Sequence, residues 1–106
     1  LFFDLNYANI DNHAFNSSTQ FAWMRKNNKT CVLAVTNFAH HPTETKLHIP
    51  QHAFACLEIP ADKEYDMTNL LTGEQTTVTL SPNHHVHIQL PAQSGILWKF
   101  LVKDAD

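Results

Sequence analysis

Gln20-Phe21-Ala22-Trp23-Met24-Arg25-Lys26-Asn27-Asn28-Lys29-Thr30-Cys31-Val32-Leu33-Ala34-Val35-Thr36-Asn37-Phe38 is the stretch on which the fold turns. Its first part has a period of two. Phe21, Trp23 and Arg25 point one way, and Ala22, Met24 and Lys26 point the other. Asn27-Asn28-Lys29 reads as a hairpin turn, because Asn tolerates left-handed backbone angles. Thr30 to Phe38 then runs as a strand that is apolar on both faces for most of its length. That pattern marks a central strand covered on two sides.

The same period continues outward. Thr43 to Ile49 alternates, with Thr45, Leu47 and Ile49 on one face, and Pro50 stops it. Gln51 to Leu57 is a loop or a single helical turn. Tyr65 to Leu71 is the next strand, and Thr72-Gly73-Glu74 a tight turn. Gln75 to Leu80 is rich in β-branched residues. Ser81-Pro82-Asn83 turns the chain again. Val86, Ile88 and Leu90 alternate with His85, His87 and Gln89. Gly95 to Lys103 closes the series with Ile96, Trp98 and Phe100 on one face. The reading is all-β: an antiparallel β-sandwich of about seven to eight strands with Greek-key-like connections. Residues 1–18 read differently, as a short N-terminal lead-in, helical or extended. They carry an apolar patch (Leu1, Phe2, Phe3, Leu5, Tyr7) and then a polar loop. The sandwich itself is expected over residues 19–103.

Composition narrows the partners. The chain has 106 residues, enough for one domain with one modest core. Seven Lys and Arg against ten Asp and Glu give a net charge of −3, so no basic face for nucleic acid is expected. No apolar stretch is long enough to span a membrane. The start Leu1-Phe2-Phe3 meets Asp4 and Asn6 at once, unlike a signal peptide. It also lacks an initiating Met, as a piece of a longer polypeptide would. Cys31 opens an apolar run and reads as a buried free thiol. Pairing with Cys56 depends on a distance the sequence does not give. Two cysteines leave the compartment open.

Histidine is the obvious place to look for chemistry. His85 and His87 stand two apart on a strand and share a face. They could bind zinc if a third ligand approached from a neighbouring strand. No standard spacing is present, so they are read as exposed polar partners of Val86 and Ile88, with no metal or cofactor expected. Glycoside cleavage needs two acids facing each other across a cleft. Glu58, Asp62, Glu64 and Asp66 read instead as loop and strand-edge charges. Ser94-Gly95 lacks the leading glycine of a nucleophile elbow, and two glycines build no phosphate loop. No catalytic residue is expected. Sugars stack on flat aromatic faces, which makes Tyr65, Trp23 and Trp98 the candidate carbohydrate platforms. Trp98, between Ile96 and Phe100, and Trp23, alternating with Phe21, also read as core.

Several phrases line up in order with one family. Gln20 to Lys26 resembles the "-FAYLR-" strand that opens the C-terminal all-β domain of glycoside hydrolase family 13, the α-amylase family. Val32-Leu33-Ala34-Val35-Thr36-Asn37-Phe38 is similar to the following "-VLVVxNF-" strand. Asn69-Leu70-Leu71-Thr72-Gly73-Glu74 is similar to "-DLLTGE-", with Asn69 in place of the commoner aspartate. Gln89 to Phe100 is similar to the closing strand, and Phe3 to Asn9 to the linker that leaves the last barrel helix. The resemblance implies a non-catalytic accessory domain of a bacterial α-amylase-like enzyme acting on α-glucans. Its partner would be the catalytic (β/α)8 barrel of the same parent chain, met through the Leu1–Tyr7 patch and adjoining strand residues. An alternative is a starch-binding module using exposed aromatics, with α-glucan as partner. A third is an interaction module unconnected with sugar.

Overall fold

The computed structural model describes residues 2–9, 15 and 19–102. It contains strands β1 (Phe2–Asp4), β2 (Gln20–Asn27), β3 (Thr30–Asn37), β4 (Thr43–Leu47), β5 (Lys63–Asn69), β6 (Gln75–Leu80), β7 (Val86–Leu90) and β8 (Ser94–Leu101), with helix α1 at Gln51–Leu57. Six strands form one sheet in the order β1-β2-β3-β8-β5-β6, and β4 and β7 pair as a second. Every pairing is antiparallel. The chain leaves the large sheet after β3, returns at β5, and leaves again for β7. The last strand then enters between β3 and β5. Neighbours so far apart in sequence give the sandwich its Greek-key character.

The hairpin behaves as its residues require. Asn27 faces Thr30, and Asn28 takes the left-handed φ of 58°. Gly95 lies beside β3, where an added Cβ would stand 3.0 Å from the Val35 carbonyl oxygen. A side chain there would push the central strands apart.

Between the sheets lies one core. Met24, Leu33, Val35 and Phe100 come from the large sheet, and Leu47, Ile88 and Leu90 from the small one. Polar ties cross between layers. The buried Asn37 amide donates to the carbonyls of His41 and Pro91, at 3.2 and 3.1 Å. Its Oδ1 accepts from the Ala39 N–H. Gln20 Nε2 donates to Thr45 Oγ1 at 2.6 Å. Buried amides satisfied this way hold the two sheets in one register.

Three details depart from the sequence reading. Gln51–Leu57 is a seven-residue α-helix, longer than a single turn. It buries Ala53, Phe54 and Leu57. The lead-in is not only a lead-in, because Phe2–Asp4 adds an edge strand beside β2 and Tyr7–Asn9 forms a 3-10 turn. Trp23 and Phe21 do not point into the core; the inward face of β2 is Ala22 and Met24. Alternation says which residues share a face. It does not say which face is inside.

Candidate docking face and the placement of the predicted site residues

The register of the large sheet assembles its outer surface. Asp4 faces Trp23, Trp23 faces Ala34, and Ala34 faces Leu97. This row continues to Leu70, whose N–H donates to the Leu97 carbonyl at 2.8 Å. The next row runs Phe2, Arg25, Val32 and Lys99. Phe2 is 59% exposed, Phe21 38% and Leu70 50%, and Trp23, Val32 and Leu97 are half-buried. The Phe2 and Trp23 rings lie 5.7 Å apart and are tilted by 33°. The result is a contiguous apolar surface across four strands with Asp4, Arg25 and Lys99 among it. Exposed apolar patches rimmed by polar residues are common at interaction sites. The Leu1–Tyr7 patch contributes only in part. Phe3 and Leu5 are buried in the sandwich's own core and Tyr7 is exposed. Leu1 lies outside the described residues.

The candidate sugar platforms separate. Tyr65 is buried, its ring 5.1 Å from Phe100 and its hydroxyl donating to the Pro60 carbonyl. Burial also raises its pKa, with the Cys31 thiol adding to the shift. Trp98 is 6% exposed. It lies at the base of a shallow groove of about 530 Å³ between β6 and β7, with Thr76, Thr79, His85 and His87. Neither ring presents a flat face for a sugar in this conformation. Of these three rings Trp23, half-buried with Phe2 beside it, is the one on the outer surface.

The acids do not face one another across a cleft. Glu58 ends α1. Asp62 accepts from the Ser81 hydroxyl. Glu64 and Asp66 alternate with the buried Tyr65 and Met67 on β5, and Asp66 accepts from Thr77 Oγ1 at 3.1 Å. Cys31 and Cys56 are both free thiols, the first buried and the second exposed. Burial pushes the Cys31 thiol up to about 11, against the opposing pull of Lys26. It is therefore a protonated packing group near neutrality, since thiolate character is what makes cysteine a nucleophile. Among the described residues no three His, Cys, Asp or Glu side chains converge to hold a metal ion. No described helix is long and apolar enough to cross a membrane.

The Asn69 position answers the question its aspartate-like place raised. Its Oδ1 accepts from the Leu71 N–H at 3.1 Å and the Leu97 N–H at 3.4 Å. Its carbonyl accepts from Thr72 and Gly73, with Gly73 at a φ of 80°. An amide oxygen performs this role as a carboxylate would.

Comparison with known proteins places this architecture. A family model described as the alpha amylase C-terminal all-beta domain matches residues 10–100. No curated protein sequence matches the chain. Among solved structures it is similar to α-galactosidase I from Mortierella vinacea, with a TM-score of 0.63 and 13% identity over 85% of this chain and 22% of that one. It is also similar to AmyP in complex with maltose, with a TM-score of 0.54 and 12% identity over 86% of this chain and 16% of that one. An Anoxybacillus α-amylase gives a TM-score of 0.52 and 14% identity over 86% of this chain and 17% of that one. The chain thus spans about a fifth of each of these proteins, and at such identities the likeness is one of fold.

Proposed function

The chain belongs to the α-amylase C-terminal all-β domain family, and from that membership we propose that it seats against the catalytic (β/α)8 barrel of an α-glucan-active glycoside hydrolase through the outer face around Trp23. Residues 1–18 are then the approach from the barrel, with Phe2–Asp4 joining the sheet as its edge strand, and residues 19–103 the rest of the sandwich. The observation that carries the reading is the position of the apolar surface. Phe2, Phe21 and Leu70 are exposed and Trp23 is half-buried on the outside of the large sheet, where the described residues leave them open to solvent. Covering a Phe or Trp ring stabilises by about 1.5–3 kcal/mol relative to leaving it in water. A partner in the same polypeptide adds no further translational entropy cost. Catalysis belongs to the barrel, and this domain keeps a large apolar surface of the enzyme from water.

Trp23→Asp, introduced into the parent enzyme, should lower the melting temperature of the catalytic unit by several degrees, from the loss of about 2 kcal/mol. The same change in the isolated chain should leave the melting temperature within about a degree, because Trp23 is half-exposed there. Equal effects in both settings would sink the docking reading.

The open Phe2–Trp23 pair favours a second reading, a glucan-binding surface built from the same residues. Affinity electrophoresis of the isolated chain in starch separates the two. Docking predicts unchanged mobility, and glucan binding predicts retardation abolished by Trp23→Ala.

A further inference from the structure

On the opposite side of the molecule the small sheet brings two histidines together that are far apart in sequence. Leu47 of β4 faces Val86 of β7, so the next residues outward, His48 and His85, stand opposite each other. Their ring centres are 5.7 Å apart, with planes at 57°. Two imidazoles bound to one tetrahedral ion through nitrogens at about 2.0–2.1 Å hold their ring centres roughly 5 Å apart. The observed separation exceeds that by less than about 1 Å.

The backbones beneath the rings are held. The His48 N–H donates to Asn9 Oδ1 at 2.8 Å, and its carbonyl accepts from Asn9 Nδ2 at 2.9 Å. His85 follows a tight turn closed by the Ser81–His84 bridge. No described residue forms a hydrogen bond with a ring nitrogen of either histidine.

We propose that His48 and His85 form a two-histidine, cross-strand site for a first-row transition-metal ion, with water completing the coordination sphere. Among the described residues two protein ligands converge. Imidazole donors select Cu²⁺, Ni²⁺ and Zn²⁺ over Mg²⁺ and Ca²⁺, which take oxygen ligands. His87 shares the face of His85 but stands opposite Lys46 and not opposite a second histidine. The site lies on the small sheet, away from the Trp23 face, so it stands or falls independently of the docking reading.

Zn²⁺ titration of the full chain by calorimetry near neutral pH tests it, with the imidazole NMR signals followed in parallel. The expected result is one Zn²⁺ bound, with His48 and His85 shifting first. His48→Gln and His85→Gln should each weaken binding by about tenfold or more. His87→Gln should leave it within about twofold, as should Cys56→Ser, which removes the exposed thiol one helical turn from His52. His85 is exposed, so His85→Gln keeps the fold. Wild-type Zn²⁺ affinity in His85→Gln, loss confined to Cys56→Ser, or Mg²⁺ binding equal to Zn²⁺ would each overturn the proposal.

Discussion

Single side chains decide more here than their number suggests. Trp98 was legible as core because it alternates with Ile96 and Phe100 on a closing strand, and it is buried. Trp98→Ala should cost about 3–5 kcal/mol in chemical denaturation; a cost under about 1 kcal/mol would contradict its place in the core. Asn37 and Asn69 were not legible in this way. A buried amide that ties several backbone groups looks, in sequence, like any turn residue. Asn69→Asp should be tolerated, because the acceptor oxygen facing Leu71 and Leu97 is retained. Asn69→Ala should destabilise by about 1–3 kcal/mol, since two N–H groups lose their acceptor. His48 carries a pH dependence with a definite sign. Its pKa in the folded chain lies below the ordinary 6.5, so the unfolded chain takes up that proton first. The stability it contributes is complete above the unfolded value and is lost as pH falls through the folded one. Urea midpoints measured from about pH 7.5 down to about pH 5 should fall more in wild type than in His48→Gln.

At the level of elements, strands were easier to read than the helix. The strands between Gln20 and Leu101 announce themselves by alternation and by the prolines and asparagines that end them. Helix α1 lacks the usual signs of both ends. Pro50 occupies its N-cap without a side-chain hydrogen bond, where Ser, Thr, Asp or Asn would signal a start. Glu58 ends it in the left-handed region at a φ of 55°, where glycine is the common signal. The closing bond from the Ile59 N–H to the Phe54 carbonyl is nevertheless made, at 2.9 Å, and Lys26 Nζ donates to the Glu58 carbonyl at 3.0 Å. Glu58→Gly should therefore stabilise the chain by about 1 kcal/mol, read from the urea midpoint, by removing the left-handed Cβ penalty. Lower stability in that variant would mean that the Glu58 side chain has a role its geometry does not reveal. Strand β1 was hidden for another reason. Three residues beside an apolar patch cannot be told from a linker until a partner strand is known.

For the whole molecule, period two established a sandwich but could not assign inside and outside. Phe21 and Trp23 look like core by composition and yet lie on the outer sheet face, while the smaller Ala22 and Met24 pack inward. A domain that finished its own core would have little reason to place these rings outside. One that completes another domain's surface would place them there. The His48–His85 contact was illegible for a related reason, because it depends on the pairing of β4 with β7. Hydroxyl-radical footprinting of the isolated chain and of the intact parent enzyme tests the docking claim most directly. Docking predicts that Phe2, Phe21, Trp23 and Leu70 are oxidised in the isolated chain and protected in the parent, with Phe38 and His87 equally reactive in both. Equal oxidation of Trp23 in the two settings would contradict it.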